Sequence, residues 1–316
     1  MMIYYTLYYN RKNIIVQIIK KREKILKKER RGGVENFNNY YSSIYGERWE
    51  TLKKSFMQKP DYFEINNGLR HGSCVPAGGM EAASCADAGL LVPYYIDKAS
   101  IFPVKALDII PGQNILDMCA APGGKTLLIA LSNRENGFIT ANDRSASRRK
   151  RLISVLNTSL TPELRKTVKI TSHDASVWGV YEKNLYDRVL LDAPCSSERH
   201  VYLSECHLKM WSYSRIKQLA SRQFAMIAAA LDAVKPLGKI VYSTCSISIE
   251  ENDGVIEKLF KKRKGAFEIE SRDEIFDSET DLKIEAEKSE YGYYIMPDKN
   301  NGAGPIFFSV IVKLSE

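Results

Sequence analysis

Residues 114–126, NILDMCAAPGGKT, decide the fold class that we predict for this chain. The apolar run 114–116 follows the turn-forming pair Pro111-Gly112 and is typical of a short buried strand. Gly123 and Gly124, followed by the apolar run 127–131, predict a turn and then a packed helix. Glycine lets a backbone approach a ligand closely, and the first turn of a helix offers free N–H groups. The stretch therefore predicts a strand, a glycine turn and a helix that together hold a ligand.

This glycine turn matches neither of the two common glycine motifs of nucleotide-binding proteins. A phosphate-binding loop needs a glycine five residues before Gly124, where this chain has Cys119. A dinucleotide-binding motif needs three glycines in the pattern Gly-x-Gly-x-x-Gly, and the turn offers only Gly123 and Gly124. The sequence therefore argues against a nucleotide hydrolase.

Length, charge and cysteine content set the class of protein. With 316 residues, 44% of them hydrophobic, the chain can form one substantial α/β domain with an extension, or two small domains. Residues 250–290 hold fourteen acidic and eight basic residues, so the rest of the chain carries a net charge of +14. Such a surplus favours a polyanionic partner such as RNA or DNA. The six cysteines form no Cys-x-x-Cys pair, which predicts a reducing compartment and no metal site.

The sequence divides into three predicted parts. Residues 1–31 contain ten Lys or Arg, which is typical of a mitochondrial targeting segment or, alternatively, of a disordered RNA-binding arm or a solvated helix. The apolar run 14–19 is too short to span a membrane. Residues 32–89 are predicted to be a helical extension, over 35–66, and then a linker. Residues 90–316 form the third part. The helical extension has one predicted apolar face, made of Tyr40, Tyr41, Ile44, Trp49, Leu52 and Phe56.

Strands alternate with helices through the third part, which predicts an α/β fold with a mostly parallel, doubly wound sheet. The predicted strands are 114–116, 137–142, 168–171, 188–191 and 239–243, and the predicted helices are 97–109, 145–157 and 215–234. The last two strands, 293–296 and 306–312, are too close for a crossover helix, so they predict an antiparallel C-terminal hairpin at the sheet edge. That ending is typical of Rossmann-like methyltransferases. The acidic stretch 263–290 is predicted to be a peripheral insertion.

Polar residues fall at the carboxyl ends of four predicted strands. Asp143, Asp174 and Asp192 end or follow three of them, and Cys245 follows the last. Ligands of a doubly wound sheet bind beyond these strand ends. Asp143 lies about twenty residues after the glycine turn, where a carboxylate reaches ribose hydroxyls. The pattern predicts one site at this edge of the sheet.

Two cysteines are predicted to emerge from neighbouring strands over the same crevice. Cys195 lies in DAPCSSERH and Cys245 in YSTCSISIEEN. One buried cysteine is usually a small hydrophobic residue, but two at adjacent strand ends beside a carboxylate favour chemistry. A thiolate can add reversibly to an electron-poor ring carbon. We therefore predict a nucleophilic thiol at this site.

The motifs CAAPGGKT, ANDRS, DAPCSSERH and YSTCSIS, in that order, resemble those of the Sun/Fmu-type RNA cytosine C5 methyltransferases over residues 90–316. The segments FNNYYSSIYGERWETLKKSF, GLLVPYYIDKAS and IMPDKNNGAGPIFFSVIVKL resemble more narrowly the mitochondrial members, above all the one that methylates small-subunit ribosomal RNA. The resemblance implies a class I S-adenosylmethionine-dependent methyltransferase that forms 5-methylcytosine through a covalent cysteine adduct at cytosine C6.

The resemblance also implies a role for each matching residue. Cys245 is expected to be the nucleophile, Asp192 to stabilise the protonated cytosine N3, Cys195 to assist loss of the C5 proton, and Lys125 to support catalysis. Arg199 and His200 are expected to contact RNA, and the cytosine must leave its stack to be reached. The residues expected to bind S-adenosylmethionine are Cys119, Ala120, Ala121, Pro122, Gly123, Gly124, Lys125, Asp143, Arg148, Asp174 and Asp192.

Substrate and partners stay open at this point. The resemblance favours mitochondrial small-subunit ribosomal RNA over transfer RNA, and it implies a helical-repeat partner protein of the mitochondrial transcription-termination-factor family. A ribosome assembly factor on a methyltransferase scaffold is the alternative from a different class. Cytosine methylation of DNA is disfavoured because no separate DNA-recognition region is evident.

Overall fold

The computed structural model describes four stretches of the chain, residues 33–65, 90–134, 137–277 and 282–314. The predicted targeting segment 1–31 and the linker before residue 90 lie outside these described residues, so both stay predictions. Among the described helices, none is long and apolar enough to cross a membrane.

Two sheets are present in the described chain. The small sheet pairs β1 (Tyr62–Ile65) with β2 (Tyr94–Asp97) in antiparallel register. The large sheet contains five parallel strands, β3 (Asn114–Asp117), β4 (Phe138–Asn142), β5 (Val168–Thr171), β6 (Tyr186–Asp192) and β7 (Val234–Thr244). It also contains four antiparallel strands, β8 (Phe267–Glu270), β9 (Ala286–Lys288), β10 (Tyr293–Ile295) and β11 (Ile306–Lys313).

The order of strands in the large sheet is β5-β4-β3-β6-β7-β11-β10-β9, with β8 also paired to β11. The first five are parallel neighbours, and β11 runs antiparallel to β7. The predicted α/β class with an antiparallel C-terminal hairpin is therefore confirmed. The hairpin of β10 and β11 does not form the sheet edge, because β9 continues the sheet beyond it.

Helices cover both faces of this sheet. In the described chain they are α1 (Val34–Tyr45), α2 (Arg48–Phe56), α3 (Phe102–Ala106), α4 (Gly124–Ser132), α5 (Ala146–Ser159), α6 (Pro162–Lys166), α7 (Trp178–Tyr181), α8 (Glu198–Tyr202), α9 (Glu205–Lys209), α10 (Tyr213–Ala233) and α11 (Asp253–Lys262). The predicted cap at Asp97 is present, since its Oδ1 accepts from the N–H of Ala99 at 2.9 Å. The helix it starts ends earlier than predicted, at Ala106, and Asp108 then takes a left-handed φ of 54°.

The parallel strands are buried on both faces, as the apolar runs in the sequence predict. In β6, Leu190 belongs to one hydrophobic cluster, whereas Val189 and Leu191 belong to the cluster on the other face. All three side chains are fully buried. Burial on both faces explains why these strands read as continuous apolar runs, without the alternation of a half-exposed strand.

The N-terminal helices pack on the α/β domain through an aromatic cluster. It includes five residues of the predicted apolar face and Phe37, while Ile44 is partly buried beside them. The cluster residues in α1 and α2 are Phe37, Tyr40, Tyr41, Trp49, Leu52 and Phe56. They contact Trp211, Ile247 and Met296 of the α/β domain. The helical prediction for 35–66 is wrong after Phe56, because Pro60 follows the helix and residues 62–65 then form β1.

The acidic stretch 263–290 is not a peripheral insertion where the structure describes it. Its strand β8 pairs with β11, and its strand β9 pairs with β10. Ile275, Leu282 and Ile284 from this stretch are buried in the core. The stretch therefore contributes two strands to the large sheet and apolar side chains to the core, and its charged residues alternate with these in the sequence.

Candidate active site

Three of the parallel strands bring the predicted site residues to one edge of the sheet. Asp192 ends β6, and its Oδ2 receives a hydrogen bond from Lys125 Nζ at 2.7 Å. Its Oδ1 accepts from Ser243 Oγ of β7 at 2.8 Å. Burial lowers the pKa of Lys125, but the charge and hydrogen bond of Asp192 outweigh it and the pKa is raised. Lys125 and Asp192 are therefore a cation and an anion held together at the centre of the site.

The glycine turn between β3 and α4 is closely packed. Gly123 has a φ of +120°, which favours glycine, and a Cβ on Gly124 would lie 2.8 Å from the ring of Tyr94. The N–H of Ala120 donates to the carbonyl of Asn142 at 2.8 Å, which fixes the turn to β4. A cavity of about 220 Å³ lies over this turn. Its lining includes Asp117, Cys119, Ala120, Ala121, Pro122, Gly124, Lys125 and Asp192.

A second cavity of about 420 Å³ lies over the end of β4. Cys119 lines both cavities, and Asp143 and Arg148 line the second. Arg148 donates to the carbonyl of Ala121 at 2.6 Å, so it joins the glycine turn to the Asp143 side of the cavity. Asp174 does not line it; its carboxylate accepts from Ser176 and pairs with Arg144.

Two carboxylate oxygens at these cavities fit a cofactor that carries a ribose and an amino group. Asp143 Oδ2 is buried and has no hydrogen-bond partner among the described residues, and Arg148 Nε is 3.5 Å from it. Asp117 Oδ1 is likewise buried and unpartnered, while its Oδ2 accepts from Thr126 at 2.7 Å. Burial raises the pKa of Asp117 to about 7. Unpaired buried acceptors are costly, so ribose hydroxyls and an ammonium group are suitable donors for them.

Cys195 and Cys245 lie side by side, as their strand positions predict. Their sulfur atoms are 3.0 Å apart, and Ser197 Oγ lies 3.1 Å from Cys245 Sγ. The hydrogen bond from Cys195 lowers the pKa of Cys245, with a further contribution from Ser197, although burial opposes it. The same bond, and then burial, raises the pKa of Cys195. Cys245 is therefore the more readily ionised thiol of the pair.

Two buried glutamates that our sequence reasoning missed hold the loops of both cysteines. Glu198 and Glu251 are each fully buried, and both carboxyl groups lie within hydrogen-bond distance of the hydroxyl of Ser196. Glu251 also accepts from the N–H of Ser196 at 3.0 Å, and Glu198 from the N–H of Ile247 at 3.0 Å. Because Ser196 follows Cys195 and Ile247 is two residues after Cys245, the two glutamates fix the positions of both thiols.

Glu198 is also joined to the N-terminal helices, and Glu251 to α10. Tyr41 of α1 donates to Glu198 at 2.6 Å. Gln223 of α10 donates to Glu251 at 2.8 Å. The sequence signal that could have revealed this network is an acidic residue within six positions after each cysteine, among small hydroxyl residues, in CSSE and CSISIEE.

The structure gives Arg199 contacts that differ from the predicted RNA contact. Its guanidinium donates to four backbone carbonyls, those of Phe56, Gln58, Gly302 and Gly304. These bonds join the end of α2 to the turn before β11, so the guanidinium is engaged in contacts within the protein. His200 is exposed and lines a cavity next to Cys195.

The remaining cysteines of the described chain lie outside the thiol pair. Cys119 is buried and lines both the cavity over the glycine turn and the cavity over the end of β4, and burial raises the pKa of its thiol. Cys206 is exposed on α9. Neither has the neighbouring thiol that distinguishes Cys245.

Comparisons with known proteins identify the family of this chain. Residues 104–311 match the family described as 16S rRNA methyltransferase RsmB/F. The 5-cytosine rRNA methyltransferase NSUN4 of Xenopus tropicalis is 39% identical over 72% of this chain and 57% of its own length. The mitochondrial tRNA (cytosine(34)-C(5))-methyltransferase of Danio rerio is 36% identical over 72% of this chain and 62% of its own length. This chain thus spans about three fifths of the length of these relatives.

Solved structures show the same fold. A methyltransferase homologue from Pyrococcus horikoshii has a TM-score of 0.62 at 22% identity and covers 85% of this chain and 92% of its own. NSun6 from Pyrococcus horikoshii, solved with SFG, has a TM-score of 0.52 at 27% identity over 68% of this chain and 51% of its own. The predicted S-adenosylmethionine-dependent fold and its cofactor are confirmed at the level of the family. On the family match and the relatives together, the chain belongs to the RsmB/F (Sun/Fmu) methyltransferase family that its motifs predicted.

Proposed function

We propose that this chain is an RNA (cytosine-5-)-methyltransferase that forms 5-methylcytosine. The observation that carries the proposal is the pair of thiols 3.0 Å apart, with the ion pair of Lys125 and Asp192 at the same strand ends. Methyl transfer to oxygen or to an exocyclic amine needs no thiol nucleophile, whereas carbon 5 of cytosine becomes nucleophilic only after a group adds at carbon 6. Membership of the RsmB/F family supports the same conclusion.

The cofactor residues follow from the two cavities. Asp143 would accept hydrogen bonds from the ribose, and Asp117 from the amino group. The turn from Cys119 to Lys125 would enclose the rest of the molecule, with Arg148 bracing it. Asp174 would act indirectly, through the loop that carries His173 and Ala175 at the cavity. When bound, S-adenosylmethionine supplies an electrophilic methyl group.

The two cysteines divide the chemistry between them. Cys245 is the nucleophile: its sulfur forms a bond to cytosine C6, and the ring electrons move to C5. Asp192 accepts a hydrogen bond from the protonated N3 and so stabilises the positive ring, while the hydrogen bond from Lys125 Nζ orients this carboxylate. After C5 has been methylated, the C5 proton passes to the Cys195 sulfur, which gave its own proton to N3 when the adduct formed. The electrons of that C–H bond restore the C5–C6 double bond, and the Cys245–C6 bond breaks.

The substrate we propose is mitochondrial small-subunit ribosomal RNA. Support comes from the relatives whose names state ribosomal RNA and from the basic segment 1–31. The target cytosine would be unpaired or flipped out, because C6 is shielded in a stack. A helical-repeat protein of the mitochondrial transcription-termination-factor family is the partner that the sequence resemblance favours. Mitochondrial transfer RNA is the second candidate, because the relative from Danio rerio is named for it.

A methyl-transfer assay on two RNAs tests this proposal. The purified full chain is incubated with tritiated S-adenosylmethionine and with small-subunit ribosomal RNA or transfer RNA transcripts. Mass spectrometry of the nucleosides should then show 5-methylcytosine in the ribosomal RNA. Cys245→Ser should abolish transfer, while Cys206→Ser, which changes an exposed thiol outside the site, should not. Incorporation into another nucleoside, or unchanged activity of Cys245→Ser, would contradict the proposal.

A further inference from the structure

A cavity of about 400 Å³ opens beside Cys195 and shares no lining residue with the two cofactor cavities. Its volume falls within the range of small-molecule sites. The residues of interest in its lining are Cys195, His200, His207, Met210, Trp211 and Arg215. It lies between α8, α9 and the start of α10, so one wall belongs to the loop that carries a catalytic thiol and the opposite wall to helices.

The charge of this cavity suits an anion. No acidic residue occurs among the described residues that line it. The imidazole rings of His200 and His207 are 5.0 Å apart, and Arg215 is exposed at the start of α10. None of these three side chains forms a hydrogen bond or ion pair with any residue that the structure describes. Arg148 and Arg199 by contrast are bonded to protein carbonyls.

The cavity also offers apolar surface beside these donors. Met210 is 63% exposed, and Trp211 and Ile216 close the inner wall. The flexible methionine side chain adapts its shape to a partner, and its sulfur favours contact with aromatic rings. A nucleotide has both of the required parts, since its phosphate is anionic and its base is flat and apolar on its faces.

We propose that this cavity binds the nucleotide adjacent to the target cytosine, with its phosphate held by Arg215, His200 and His207 and its base against Met210. The proposal rests on the proposed function, because the thiol pair places the target base at Cys245, 3.0 Å from the Cys195 sulfur on the cavity wall. An RNA strand whose target base lies at Cys245 must pass close to Cys195 where it leaves the site. The cavity would therefore select RNA that is single-stranded on one side of the target cytosine.

Salt dependence separates this contact from general attraction to RNA. Each phosphate contact on single-stranded RNA contributes about −0.7 to the slope of log K against log salt concentration. Arg215→Ala should therefore reduce the slope by about 0.7 and weaken RNA binding by about ten-fold at low salt. Arg215→Lys should keep most of the slope, because a lysine is still a cation. Lys262→Ala is the matched control: this basic residue ends α11, just before β8, and lies outside the lining of the cavity.

The experiment measures binding of a single-stranded 20-nucleotide RNA with one cytosine to the full chain, across a salt series. A set of such RNAs carries one uncharged methylphosphonate linkage at successive positions. We expect Arg215→Ala to lose affinity on the unmodified RNA and on most substituted RNAs, but to equal the wild type when the neutral linkage adjoins the cytosine. At saturating RNA its kcat should match the wild type, with the loss confined to KM.

Two results would overturn the inference. One is a slope for Arg215→Ala equal to that of Lys262→Ala. The other is a loss that is the same at every methylphosphonate position, which would mean a general electrostatic effect. Either result leaves the proposed function standing, because methyl transfer by the wild type and its loss in Cys245→Ser are measured independently.

Discussion

The buried carboxyl of Glu251 should make this protein less stable as pH rises. Most carboxyl groups in folded proteins have the opposite effect. Burial, and then the nearby charge of Glu198, raises the pKa of Glu251 from 4.5 to about 7, against the hydrogen bonds from Ser196 and Gln223. The unfolded chain loses this proton near pH 4.5, whereas the folded chain retains it up to about pH 7. The folded state is therefore most favoured below pH 4.5, and this part of its stability is lost between pH 4.5 and 7.

The size of this stability change follows from the shift in the pKa of Glu251. A difference of about 2.5 pKa units corresponds to about 3 kcal/mol of unfolding free energy. In Glu251→Gln the amide oxygen can still accept from the N–H of Ser196 and from Gln223, and its NH₂ can donate to the hydroxyls of Ser196 and Ser246. The variant lacks the titration, so its stability relative to the wild type should rise by about 2 to 3 kcal/mol between pH 5 and pH 8.

Urea denaturation followed by tryptophan fluorescence, repeated from pH 5 to pH 8.5, measures this difference. The comparison of two proteins at each pH cancels the other titrating groups. Glu205→Gln, which removes an exposed carboxylate paired with Lys209, is the control and should show a small difference at every pH. If the unfolding free energy of Glu251→Gln minus that of the wild type stayed constant with pH, or fell as pH rose, the raised pKa of Glu251 beside Glu198 would be refuted.

Three further predictions concern residues around the site. Arg199→Ala removes donors to four carbonyls and should lower the unfolding free energy by about 2 kcal/mol or more in denaturant titrations. An unchanged denaturation midpoint together with weakened RNA binding would instead show that Arg199 contacts RNA. Asp143→Asn keeps the oxygen that accepts from Ser145 but removes a charged acceptor, so calorimetry should show S-adenosylhomocysteine binding weakened about ten-fold, and equal affinity would contradict the ribose assignment. Lys125→Met should abolish methyl transfer while S-adenosylhomocysteine still binds, and full turnover would remove this residue from the catalytic group.

Local sequence signals predicted the parallel part of the fold well. Strand β5 has the predicted bounds, and α10 begins and ends within two residues of its prediction. These elements are strongly apolar or strongly periodic, so their own residues determine them. The short strands β1, β8 and β9 were not predicted, because three or four residues among charges have little pattern and the pairing partner decides the structure.

The site was predictable where it depends on strand ends and not where it depends on side-chain partners. The convergence of Asp192, Cys195 and Cys245 follows from the order of the strands. The burial of Glu198 and Glu251 does not, since each lies in a polar run that looks like an exposed loop. The bonds of Arg199 to distant carbonyls could not be anticipated either, because they depend on how α2 and the turn before β11 meet.

The central claim is that Cys245 attacks the cytosine and Cys195 is needed to release it. The most direct measurement is a denaturing gel of the Cys195→Ala variant after incubation with labelled RNA and S-adenosylmethionine. We expect a slowly migrating protein–RNA band that withstands boiling in detergent and disappears when Cys245→Ala is added to Cys195→Ala. Normal turnover by Cys195→Ala without such a band, or a band that persists in the double variant, would contradict the account.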